Sequence, residues 1–173
     1  MGTTLEDTWA DLVKRFRLQR SFEYYRDRYD AEILRHYRKS AVLLPGAAWL
    51  VDELLRRGMR LAVASSSRTE WVEVCLATLG LLSKFHAIVT GDMVKHGKPD
   101  PEIYLKAAAA LGFAPERCLA IEDAPKGVQS AYRAGMTVVA VDTPYTAGLD
   151  ISEADARIPS LDRFDLHWLD AAA

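Results

Sequence analysis

The chain has 173 residues, 50% of them apolar and 27% charged, with 22 Lys and Arg against 24 Asp and Glu and a formal net charge of −2. A domain of roughly 150 residues buries about 70% of the surface its unfolded chain exposes, so a layered core forms without metals or disulfides as staples. The near balance of charge excludes the broad basic face that phosphate neutralisation on nucleic acid needs.

The first forty residues hold seven of the sixteen aromatics, with nine Lys and Arg and seven Asp and Glu. From Phe22 the apolar positions Phe22, Tyr25, Tyr29, Ile33 and Tyr37 recur at spacings of three and four, which places them on one helical face and predicts a packing surface. Arg26 with Asp30 and Arg28 with Glu32 are expected as i,i+4 pairs on its flanks. After Pro45-Gly46 helical stretches alternate with short β-branched runs, the signature of βαβ units and a parallel sheet. Helices are predicted over 46–57, 69–79, 101–111 and 128–134, stopped in turn by Gly58, Gly80, Gly112 and Gly135. Strands are predicted over 60–64, 87–90, 118–121 and 137–141, followed by an irregular tail with a short helix near 161–169.

The longest apolar stretch, Ala41 to Val51, is broken by Pro45 and Gly46 and is far shorter than the roughly 20 residues of a membrane span. The start of the chain lacks a basic-then-apolar export pattern, so the cytoplasm is the default compartment. Cys75 and Cys118 show no metal-ligand spacing and read as buried free thiols.

In open parallel sheets ligands collect where the strands end, because loops and helix N-termini converge there. Three such ends carry polar residues. Ser65-Ser66-Ser67-Arg68 offers hydroxyls and backbone N–H groups ahead of a helix, suited to a phosphate or simply to N-capping. Gly97-Lys98-Pro99-Asp100-Pro101 fixes a lysine between a glycine and two prolines, either a positioned ammonium or an exposed lysine on a turn. Glu122-Asp123 closes an apolar strand with adjacent carboxylates, natural ligands for Mg²⁺.

Taken together and in this order, the segments resemble the haloacid dehalogenase superfamily of phosphotransferases, and within it the β-phosphoglucomutase-like subgroup. LAVASSSR is similar to the second motif of that family, GKPDPEIY to the third and LAIEDAPKGV to the fourth. The likeness covers about residues 44–150. It implies a division into a helical cap remnant over 1–43 and an α/β Rossmann-like core over 44–173. It also implies that Ser65, with the Ser66 N–H, binds the transferring phosphoryl group, that Lys98 balances its charge, and that Asp123 binds Mg²⁺ with Glu122 behind it. The implied ligand is a small phosphorylated molecule, and the implied reaction is Mg²⁺-dependent phosphatase or phosphomutase chemistry.

The family's nucleophile is missing. Its first motif, DxDGT, places an aspartate nucleophile and a general acid/base two residues apart, and none of the fourteen aspartates here has another at that spacing. Asp7 and Asp11 are four apart and follow MGTTLE rather than an apolar strand, so they read as a helix-surface pair. Without the motif, Mg²⁺ binding is weakened, and activity is expected to be weak or absent. The alternatives are a non-catalytic phosphate-binding module and a fragment completed by a separate chain. The strand that carries DxDGT in the family lies at the centre of the sheet, between the strands ending here at Ala64 and Ile121. Its absence predicts that the sheet closes up, that the N-terminal region fills the gap, or that a second chain does; it also favours self-association as a homodimer.

Overall fold

The computed structural model describes residues 12–146 and 148–172. Helix α1 (Phe22–Ser40) starts at Ser21, whose side chain accepts from the Tyr24 N–H, and ends with Arg38 and Lys39 against the negative end of the helix dipole. Leu34 is its buried residue, and Tyr29 meets Trp71 edge-on with ring centroids 5.6 Å apart. The expected flank pairs do not form: Arg26 binds Asp27, Glu32 binds Arg35, and Asp30 is drawn to Arg68 on the core. A partner one or three residues away, or on another element, displaces i,i+4 pairs worth only about tenths of a kcal/mol.

Helix α2 (Ala47–Arg56) follows Gly46, whose φ of 82° brings its backbone against Asp162, leaving no room for a Cβ. Then come β1 (Ala62–Ser65), α3 (Thr69–Thr78), β2 (Ala87–Thr90), α4 (Glu102–Leu111), β3 (Leu119–Glu122), α5 (Pro125–Arg133), β4 (Thr137–Val141) and β5 (Ala156–Ile158). Among the described residues all ladders are parallel, as the alternating pattern predicts. Strand β5, inside the segment read as irregular, is three residues long with an arginine at its centre, too short to show a period. The thiols differ from expectation: Cys75 and Cys118 are free but only half-buried, and burial raises the pKa of both. The Asp7 and Asp11 reading lies outside the described residues.

The sheet is split in two. Strand β1 pairs with β2, and β3, β4 and β5 form a second sheet in that order, with β1 and β3 unpaired to each other. The expectation that the sheet closes up is therefore not met. Helix α1 packs on α3, and no residue of 22–40 lines the cavity between β1 and β3, so this helix does not fill the gap; a filling by residues 1–11 lies outside the described residues. The core divides into two apolar layers. One joins Ile103, Ala107 and Ala108 of α4 with Val128 and Ala131 of α5, and the other joins Leu50 and Leu54 of α2 with Phe164 and Leu169 of the C-terminal segment.

Candidate functional site

The carboxyl ends of β1 and β3 open into a cavity of about 620 Å³ whose lining includes Ser65, Ser66, Lys98, Glu122, Asp123 and Lys126. All five residues singled out in the sequence therefore share one site. Lys126, one position past Pro125 in α5, was not singled out.

The serine loop is held by its neighbour rather than by capping a helix. The Ser65 hydroxyl accepts from the Ser67 N–H at 3.1 Å, and the Gly91 N–H donates to the Ser67 carbonyl at 2.9 Å. A Cβ at Gly91 would lie 2.3 Å from the Ser66 oxygen, so only glycine lets the loop after β2 approach so closely. The N-cap of α3 is Arg68, and Asp92 does the capping: its carboxylate accepts from the Thr69 N–H at 3.2 Å and the Thr69 hydroxyl at 2.9 Å. The hydroxyl of Thr90 beside it, then Thr69, holds the Asp92 carboxyl down at about 2. The N-capping reading of the serines is thus replaced, and Ser66 stays exposed at the cavity.

Lys98 is not an exposed turn lysine. Its loop is fixed from both sides: the Glu102 carboxylate accepts from the Lys95 and His96 N–H groups at 2.9 Å each, and the Ser130 hydroxyl donates to the Asp100 carbonyl at 2.6 Å. Lys98–Pro99 is a cis peptide. The side chain is 11% exposed, and its ammonium donates to the Ala64 carbonyl at 3.0 Å, to the Tyr104 hydroxyl at 3.3 Å and to the Glu122 carboxylate, itself 9% exposed. The lysine also sits 4.8 Å from the Tyr104 ring centroid. Tyr104 donates to the same Glu122 oxygen. Burial first, then the Glu122 charge, drive the Tyr104 hydroxyl far above its ordinary pKa, so it stays a proton donor. Sequence reading missed Tyr104, although its position six residues after Lys98, on the first turns of α4, was the available signal.

Glu122 is also held by the Asp123 N–H at 3.2 Å, and its carboxylate lies where a Cβ on Gly127 would fall. It is therefore committed to the lysine and the tyrosine. Asp123 remains open to the cavity; burial, then the Glu122 charge, raise its pKa, while a hydrogen bond from Thr143 pulls the other way. Among the described residues no three His, Cys, Asp or Glu side chains cluster as a cation cage. One open carboxylate fits Mg²⁺ only in the manner of an ion that keeps several waters and takes further oxygens from a phosphate.

A family profile described as haloacid dehalogenase-like hydrolase matches residues 1–141. Protein CbbY of Rhodobacter capsulatus is 43% identical over 124 residues, which cover 69% of this chain and 54% of that protein. Beta-phosphoglucomutase of Bacillus subtilis is 42% identical over 99 residues, covering 57% of this chain and 43% of that one. The crystal structure of CbbY from Rhodobacter sphaeroides in complex with phosphate superposes with a TM-score of 0.80 at 31% identity, over 91% of this chain and 76% of the other. The chain spans about half the length of the curated relatives it matches.

Proposed function

The chain belongs to the haloacid dehalogenase-like hydrolase family, and from that membership we propose that residues 44–173 bind the phosphoryl group of a small phosphate ester in the cavity at the ends of β1 and β3, with residues 1–43 as the remnant of a substrate-facing cap. The observation that carries this reading is the convergence of Ser65, Ser66, Lys98 and Asp123 on one cavity from three separate loops. The Ser65 hydroxyl and the Ser66 N–H supply neutral donors, and Lys98 supplies the cation. In phosphoryl transfer such positioning and charge neutralisation do most of the catalytic work. Asp123 would hold Mg²⁺ together with waters and a phosphoryl oxygen. When bound, that ion would neutralise charge that builds on the transferring group.

The sequence carries no DxD pair, and Glu122 is spoken for by Lys98 and Tyr104. Those two facts favour binding over rapid turnover by these residues alone. A site stripped of its nucleophile retains an acceleration of about 10³–10⁴ over water at most. The test is Mg²⁺-dependent hydrolysis of p-nitrophenyl phosphate, with inorganic phosphate binding followed by calorimetry, on the chain and its Lys98→Ala, Ser65→Ala and Asp123→Asn variants. The expected outcome is phosphate binding weakened at least tenfold by Lys98→Ala and by Ser65→Ala, with slow turnover that Asp123→Asn abolishes. Phosphate affinity unchanged in both binding variants overturns the reading.

A further inference from the structure

We infer that Lys126 is a phosphate-binding residue of the cavity at the ends of β1 and β3, the second cation that a doubly charged phosphate monoester requires. The inference rests on the phosphate reading above and adds a residue which that reading does not use.

Charge balance is the first argument. The charged residues that line the cavity, among those described, are Lys98, Glu122, Asp123 and Lys126. Lys98 and Glu122 are buried against each other, so their charges cancel at close range. Asp123 then leaves the floor negative on balance. A phosphate monoester brings about two further negative charges at neutral pH, and such a floor repels it. Within this chain, Lys126 is the lining residue whose charge offsets that of Asp123.

Donor geometry is the second. A lysine ammonium has three N–H groups to give. Those of Lys98 face three protein acceptors: the Ala64 carbonyl at 3.0 Å, the Tyr104 hydroxyl at 3.3 Å and the Glu122 carboxylate. Lys98 reaches a phosphoryl oxygen only by releasing one of them. Lys126 is exposed, and among the described residues its side chain makes no ion pair or hydrogen bond. Its flexible stem leaves the ammonium free to close on an anion.

The fold supplies the third. Lys126 is the second residue of α5, and the Glu122 carboxylate lies against the next residue, Gly127, which holds this turn at the cavity. A cation there opposes the helix dipole, and no acid in the first turn compensates it, so the charge does not serve the helix. Arg68, beside the serine loop, is paired with Asp30 and does not line the cavity.

The experiment is calorimetric titration with methyl phosphate at about pH 8, where the ester is doubly charged, first with a chelator and then with Mg²⁺ restored. The unaltered chain is compared with Lys126→Gln, Lys126→Arg and Ser65→Ala, and each is melted thermally. With the chelator, Lys126→Gln should weaken binding at least about fivefold, and Lys126→Arg should stay within about twofold of the unaltered chain. Added salt should narrow the difference, and the melting temperature of Lys126→Gln should not fall. Affinity unchanged in Lys126→Gln but weakened in Ser65→Ala overturns this inference and leaves the phosphate reading standing. Equal losses in Lys126→Gln and Lys126→Arg, or a loss accompanied by a lower melting temperature, assign Lys126 a structural role and overturn it too. No binding by the unaltered chain with the chelator also overturns it, and none with Mg²⁺ restored overturns the phosphate reading as well.

Discussion

Lys98, Tyr104 and Glu122 form a closely interlocked group. Two charges at roughly one-tenth exposure are stable together because each replaces the other's lost water, and Tyr104 adds a donor to the carboxylate. Removing one member leaves the other stranded. Lys98→Ala should therefore lower unfolding stability by about 3–5 kcal/mol in urea titration, and Glu122→Gln on that background should restore part of the loss. Additive effects of the two substitutions would show that the ion pair is not coupled. Asp92 makes a prediction in pH. Its carboxyl sits at about 2 in the folded chain against an ordinary 3.8, so its contribution is present above about pH 4 and lost as pH falls through 2. Thermal melts from pH 5 to pH 2 should show a steeper fall for the native chain than for Asp92→Asn.

At the scale of elements, glycines decide how closely the pieces meet. Gly127 lies in α5 within contact of the Glu122 carboxylate, where a Cβ would sit 2.2 Å from carboxylate atoms. Since Glu122 is held by Lys98 and Tyr104, it has little freedom to retreat. Gly127→Ala should destabilise the chain by about 1–3 kcal/mol, as overpacking does, despite the better helix propensity of alanine. A gain in melting temperature would mean that Glu122 swings away freely. The same scale shows how far the sequence could be read. Strands β2 and β4 fall where their β-branched runs end, because apolar runs bounded by turn signals have few other places to go. Helix α5 starts three residues before its apolar period, at Pro125, because proline at the first helical position needs no N–H partner. The stripe on α1 was legible as a helix face, but the ion pairs on its flanks were not. Asp30 finds Arg68 thirty-eight residues away, a meeting that only the packing of α1 on α3 arranges.

For the whole molecule, the split sheet governs stability. The β3–β4–β5 sheet has its central strand enclosed, while the β1–β2 pair is joined to it through helices and through Lys98. Native-state hydrogen exchange should place β4 amides in the slowest class, opening only with global unfolding, and β1–β2 amides in a faster one that opens sub-globally. A single common opening free energy for both would show that the halves behave as one sheet.

The sequence by itself determined the parallel α/β order, the three polar strand ends and the absence of a DxD pair, because these depend on local periodicity, turn residues and composition. It did not determine which carboxylate of Glu122-Asp123 stays open to a ligand. Adjacent residues at a strand end point different ways, and only the approach of Lys98 and Tyr104 from α4 and its preceding loop commits Glu122 and frees Asp123. Nor did it determine the fate of the gap. Whether two strand edges close on each other depends on the packing around them, and here β1 and β3 stay unpaired with residues of α2 and α4 lining the cavity between them.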